Sequence, residues 1–388
     1  MPAYEWLTEF LLSAFPDGAA LHEPTFSGNE WNYVKDCLDT GWVSSVGGYV
    51  DRFEEMLCDV TGREAAVATV NGTAAMHLLL VALGVRHGDE IIMPALTFVA
   101  TANAAVHAGA LPHFVDVETT TLGLDPGALE QRLHDIGEQR DGVLMNRETG
   151  ARIRAVVGVD VFGHPCDAPA LAKVADDFGI TYLQDSAESL GSLRGSKPAA
   201  AGGLAAILSF NGNKTVTTGG GGAVVTDDEA LAARLRHLGT TAKEPHRWAY
   251  RHDATGYNYR LPNINAALGC AQLEQLDRFV ARKRRLAEWY RSAFAGPKHI
   301  QFVDEPPACE SNFWLNAVLI PDAAERDAVL ERANTARTQL RPAWEPMHRL
   351  PMFNNCARGE LAVTEDICNR LVNLPSGIAA ANLVLETQ

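Results

Sequence analysis

The sequence predicts an α/β protein, with a large domain on a mostly parallel sheet and a smaller α+β domain after it. Three observations carry this. Short Val/Ile/Leu-rich runs recur through the first two thirds of the chain, continuous rather than alternating, as in strands buried on both faces. Helical segments of ten or more residues separate them, which fits parallel strands joined by crossovers. The length of 388 residues also exceeds the ~100–200 usual for one domain.

The opening MPAYEWLTEFLLSAF sets acids among apolar residues without a basic leader, so it reads as a short amphipathic helix and not a signal peptide. In LHEPTFSGNEWNYVKDCLDTGWV a helix starts at Ser27 or Asn29 and stops near Gly41. Residues 49–62 place Val50, Phe53, Met56, Leu57 and Val60 at helical spacing. Then come AAVATV (65–70) as a strand, NGT as a turn, AAMHLLLVALGV as a helix, EIIMP (90–94) as a strand and TFVATANAAVHAG as a helix. The alternation continues through LPHFVDV, a helix near 125–135, RAVVGVDVFG, a helix over 168–178 and ITYLQD (180–185). LAAILSF is a strand, and VTTGGGGAVVT reads as two short extended pieces joined by glycines. From Pro262 the texture is helical: INAALGCAQLEQLDRFVARKRRLAEWYRSAFAG reads as one long pattern, ended by Gly296-Pro297. A strand in FWLNAVLI (313–320) and a helix over 323–334 follow. The predicted domains are 1–265 and 266–388.

A net charge of -15 repels polyanions, which argues against general nucleic-acid binding. The basic stretch 278–291 is then a solvated helix face. Seven widely spaced cysteines without a Cys-x-x-Cys pair suit reduced thiols in a cytoplasm and offer no zinc-ligand spacing. No apolar run reaches the ~18–20 residues of a membrane span, so a cytoplasmic protein with no membrane association is expected.

The chemistry concentrates in SFNGNKTVTTGGGGAVV (209–225), where Lys214 falls in a turn at a strand end. Two nucleotide motifs fail there. Gly212-Asn213-Lys214-Thr215 lacks the direct Gly-Lys-Ser/Thr succession of a P-loop, and the glycine run misses the dinucleotide spacing. Taken with other residues, however, Lys214 fits a pyridoxal phosphate enzyme, which needs an amine for the Schiff base, a carboxylate against the ring nitrogen and a phosphate cradle. Asp185 ends an apolar run, where its carboxylate would emerge at a strand's carboxyl end. Asn71-Gly72-Thr73 would turn N–H groups toward an anion at a helix N-terminus, and Ser209 offers a hydroxyl. Singly, Thr73 is a helix cap, Ser209 a strand-end hydroxyl and Asp185 a cap for a following helix. The ordered set points to a cofactor site.

Five ordered motifs, NGTAAMHLLLVALGV, PALTFVATANA, QDSAESLGS, SFNGNKTVTTGGGG and GYNYRLPNINAALGCAQLEQL, resemble the DegT/StrS sugar aminotransferases over residues 20–375. The resemblance implies the aspartate aminotransferase-like fold (fold type I) and pyridoxal 5'-phosphate. It makes Lys214 the Schiff-base lysine and proton carrier, with Asp185 paired to the pyridinium nitrogen. Glu188 stands where a side chain contacts the ring hydroxyl; many relatives have Gln there, and a Glu would need a proton or a bridging water. Phe98 matches the ring-stacking aromatic, its ordinary reading being a core phenylalanine. Gly72, Thr73 and Ser209 match the phosphate cradle. Asn258 matches an asparagine that reaches the phosphate from a neighbouring subunit, implying a homodimer with composite sites. Gly220 stands where many relatives have Glu.

The implied reaction moves an amino group from L-glutamate to a nucleotide-linked keto sugar. LHEPTFSGNEW, VSSVGGYVDRFEEML, FGHPCD, SFNGNK and LRPAWEPMHRLPMF resemble the branch acting on UDP-linked 4-keto-6-deoxy-N-acetylhexosamines. A 3-keto sugar or GDP-4-keto-6-deoxymannose (the perosamine type) is the alternative substrate. Ser44, Arg341, Trp344 and His348 are candidates to line the sugar site, Arg341 equally a surface salt-bridge residue. Sugar dehydratases of the family carry His in place of the lysine, which Lys214 opposes. A non-catalytic cofactor-binding regulator would keep Asp185 and the cradle but need a fused domain, for which no length is expected outside 20–375.

Overall fold

The structure, a computed structural model, describes residues 2–296 and 299–386; Pro297, the expected helix stop, lies outside the described residues. Seven strands form the central sheet, in the order Ala65–Thr69, Gly222–Thr226, Ala205–Ser209, Thr181–Asp185, Ile153–Val159, Glu90–Pro94, Leu111–Val115. Gly222–Thr226 runs antiparallel to both neighbours, and the other strand pairs are parallel. The exception has a simple cause: the chain returns from Ser209 through the Lys214 turn with no helix to carry a crossover. Three of the seven strands are buried at every residue and the other four at all but one, because helices cover both faces. Leu78, Leu79 and Leu235 pack on one face. Phe53, Leu57, Cys270 and Leu273 pack on the other, with Leu129, Leu133 and Leu171 in a neighbouring cluster.

Helix ends follow their signals. Gly41 and Gly62 adopt the left-handed conformation at φ 75° and 67°, closing the helices Glu30–Thr40 and Gly48–Thr61. Elsewhere the structure differs from the sequence expectation. A hairpin, Gly137–Arg140 with Val143–Asn146, stands where no strands were expected. Its two-residue turn is Asp141-Gly142, both at positive φ, a strong local hairpin signal. Only the second extended piece of VTTGGGGAVVT is a strand, since the hydroxyl of Thr217 turns back to the Phe210 carbonyl. The long helical pattern divides into Asn263–Leu273 and Leu276–Phe294. At the break, the Gln272 and Gln275 side chains both donate to Glu30 Oε1 at 2.6 Å.

A second sheet is antiparallel, in the order Gln301–Phe302, Asn316–Leu319, Leu371–Leu374, Arg341–Pro342. The opening helix Ala3–Ala14 packs here, with Leu7 and Leu11 against Tyr290, Val318 and Val372. Helix Asn263–Leu273, by contrast, packs on the large sheet beside Phe53 and Phe210. The opening helix thus packs with the antiparallel sheet, and helix Asn263–Leu273 with the seven-stranded one. No helix among the described residues is long and apolar enough to cross a membrane.

Candidate active site

Strand order decides what meets at the carboxyl edge of the sheet. Asp185 ends its strand opposite Val159 and Ile207, and Ser209 ends the neighbouring strand. Together with the start of helix Gly72–Ala82 and the Lys214 turn, they bound a cavity of about 260 Å³. Of the predicted residues, Gly72, Thr73, Phe98, Asp185, Glu188, Ser209, Lys214 and Trp344 line it.

Asp185 is 7% exposed, and no helix begins behind it to be capped. Its Oδ2 accepts from the Thr101 hydroxyl at 2.7 Å and its Oδ1 from the Ala187 N–H at 3.1 Å. Burial pushes this carboxyl up, and the Thr101 hydroxyl and the Ala187 N–H pull it back. A carboxylate desolvated to this degree, with neutral donors as its hydrogen-bond partners, suits a cationic ring nitrogen arriving with a ligand.

Lys214 Nζ donates to Glu188 Oε1 at 3.0 Å, and the Phe162 N–H donates to Glu188 Oε2 at 2.8 Å. Burial raises the Glu188 pKa while the Lys214 charge lowers it. The Lys214 nitrogen and the Phe162 N–H thus occupy both oxygens of this carboxyl. Phe162 reaches its position only at φ 57°, in the left-handed region, followed by Gly163 at 97°. Asp160 holds the whole segment from below. Fully buried, it accepts from the Cys166 N–H, the Gln184 amide and the hydroxyls of Ser186 and Ser189 at 2.6–3.0 Å.

The cradle is built on close backbone approach. Asn71, not Thr73, caps the helix, accepting from the Ala74 N–H at 2.7 Å. This leaves the Thr73 and Ser209 hydroxyls without a hydrogen bond inside the described chain. A Cβ on Gly72 would lie 3.1 Å from the Ser209 Cβ, and one on Gly222 would lie 2.4 Å from the Asn71 carbonyl carbon. Free hydroxyls and first-turn N–H groups at a helix N-terminus suit a phosphate. On this donor set the residues present fit pyridoxal phosphate.

Phe98 is 51% exposed at the cavity wall, with its ring 6.1 Å from Trp344, so it is no core residue. Trp344 packs 4.9 Å from Phe162. The other three sugar-site candidates do not line the cavity. Arg341 sits exposed on the edge strand, beside the Leu340 carbonyl and Asn334. His348 is taken by Glu365 at 2.7 Å. Ser44 is exposed, its carbonyl accepting from the Asn263 N–H at 2.6 Å. Asn258 is exposed and outside this chain's cavity. Sequence reasoning missed Thr101, Asp160 and Trp314. Thr101 stands three residues after Phe98, within the first helical turn, a spacing that could have put it at the cavity; the other two gave no local signal.

Comparison with known proteins agrees with this geometry. The model of the DegT/DnrJ/EryC1/StrS aminotransferase family matches residues 24–382. The GDP-perosamine synthase of Escherichia coli O157:H7 is 35% identical over 362 residues, 93% of this chain and 94% of the relative. The putative pyridoxal phosphate-dependent aminotransferase EpsN of Bacillus subtilis is 36% identical over 92% of this chain and 90% of its own. Among solved structures, DesI in the presence of its TDP-sugar product superposes with a TM-score of 0.83 at 30% identity, covering 97% of this chain and 94% of that one. The aminotransferase TlmJ from Streptoalloteichus hindustanus gives 0.85 at 26%, covering 95% and 96%. The α/β architecture is that of pyridoxal phosphate aminotransferases, and the chain belongs to the DegT/DnrJ/EryC1/StrS aminotransferase family, with pyridoxal phosphate as its cofactor.

Proposed function

We propose that this sugar aminotransferase moves the amino group of L-glutamate to the keto carbon of a nucleotide-linked 4-keto-6-deoxy sugar, giving a 4-amino sugar. The observation that carries the reading is the convergence of Lys214, Asp185 and an unsatisfied phosphate cradle in one cavity. The cofactor, when bound, supplies an electron sink and carries the amino group between the two substrates. Asp185 holds a negative charge where the ring nitrogen would lie. Gly72, Thr73 and Ser209 hold the phosphate, and Phe98 offers its exposed face to the ring. Lys214 Nζ takes the α-proton of glutamate and later delivers a proton to the sugar carbon, with Glu188 at 3.0 Å holding its ammonium between the two events.

The nucleotide is where the readings divide. Two relatives named GDP-perosamine synthase, from Escherichia coli O157:H7 and Vibrio cholerae, match over 93% and 92% of the chain, which favours a GDP-linked sugar. The N-terminal and LRPAWEPMHRLPMF motifs support the UDP-linked N-acetylhexosamine as the second reading. A homodimer with composite sites fits both, since Asn258 lies outside its own cavity and Trp31, Trp42, Trp248 and Tyr250 are more than half exposed. An assay of GDP- and UDP-linked 4-keto and 3-keto sugars with glutamate, read by product mass, tests the proposal. The GDP-linked 4-keto sugar should be aminated fastest; transfer confined to 3-keto sugars would overturn the reading.

A further inference from the structure

Lys283, in the helix Leu276–Phe294, is 1% exposed and stands outside the site described above. Its Nζ donates to the carbonyls of Trp314 at 3.1 Å and Ser376 at 2.5 Å. Glu23 attracts it. The Trp314 residue that it grips is 4% exposed and held on every other side. The Trp314 N–H donates to Asn312 Oδ1 at 2.7 Å, and the Asn312 amide donates to the Glu188 and Leu190 carbonyls at 2.8 and 2.9 Å. The indole N–H donates at 2.7 Å to the carbonyl of Asn213, the residue before Lys214. Lys214 Nζ itself lies 3.8 Å from the centre of the indole ring.

We propose that Trp314 is a positioning residue for Lys214: its indole N–H fixes the turn carrying the lysine, its ring face seats the lysine nitrogen, and Lys283 locks the tryptophan in place. The inference rests on the reading of Lys214 as the cofactor-bearing lysine. A cation over an aromatic face is attracted by the ring quadrupole, and burial keeps water from competing. The other groups facing the nitrogen are Glu188 and Asp185, whose charges also favour the cation, and His22, which burial holds neutral. The ring is therefore one contribution among three, and its removal shifts the nitrogen without neutralising the site.

The test is a pH titration of the visible band of the cofactor–lysine linkage in the holoenzyme. Trp314→Leu should lower the midpoint by about half to one pH unit, whereas Trp314→Phe, which keeps a ring face but loses the indole N–H, should keep the midpoint close to wild type while lowering kcat, because the Lys214 turn is no longer tied. Replacing the seven tryptophans with a fluorinated analogue weakens the ring's negative face at constant shape. That substitution should lower the midpoint in the wild-type background but not in Trp314→Phe, and it answers the question even if the leucine variant fails to fold. Unchanged midpoints in the folded leucine variant or the fluorinated protein would overturn the proposal. A wild-type holoenzyme without any such band would instead remove the reading of Lys214.

Discussion

Asp185 and Thr101 show how a single hydroxyl sets the state of a buried carboxyl. Burial alone would favour the protonated acid, and the Thr101 hydroxyl at 2.7 Å opposes it. Thr101→Val removes that donor, so the Asp185 carboxyl rises further and the acid limb of the pH–rate profile moves to higher pH. A hydrogen bond to a charged group contributes roughly 1.5–3 kcal/mol, so kcat/KM near neutrality should fall about tenfold or more while the cofactor stays bound. Steady-state kinetics across pH with a cofactor absorbance check measures both, and an unmoved acid limb would contradict this role for Thr101. The sequence exposed Lys214, Asp185 and Ser209 because each sits at a junction of element types, where periodicity breaks. It hid Trp314 and offered for Thr101 only its spacing from Phe98, because both act through contacts between segments far apart in the chain. Arg341 and His348 show the converse: basic residues in a suggestive motif, turned to an edge strand and to Glu365 by the folding of the smaller sheet.

At the scale of elements, the parallel strands and their helices were legible because burial on both faces writes continuous apolar runs. The break in the long helical pattern before Leu276 was not, because it is made by two glutamine side chains reaching Glu30, more than two hundred residues away in sequence. The helix beyond that break carries Lys283 into the interior, where burial pushes its pKa down from 10.5 to about 7. The sign follows from linkage. Between about pH 7 and 10.5 the unfolded chain binds a proton that the folded chain does not, so this residue makes stability rise with pH across that window and fall as pH drops toward 7. Lys283→Met should flatten that slope, read as denaturant midpoints at a series of pH values. A slope identical to wild type would mean that the ammonium is not desolvated as described.

For the whole molecule, the charge of -15 first excludes a polyanion track. Yet cofactor and nucleotide-sugar are both anions, and they must bind against that field through local donors: the helix N-terminus at Gly72, the hydroxyls of Thr73 and Ser209, and Lys214. Exposed aromatics such as Trp31 and Tyr250 leave apolar surface that a second copy would cover in the proposed dimer. The proposed chemistry requires Lys214 to move protons in a half-reaction that needs no sugar. Its most direct test mixes the purified holoenzyme with L-glutamate alone and measures the keto acid released while the visible band is followed. The wild type should release about one equivalent per site with loss of the band, and Lys214→Ala and Lys214→Arg should release almost none while remaining folded. Release by either variant at the wild-type rate would contradict the central claim.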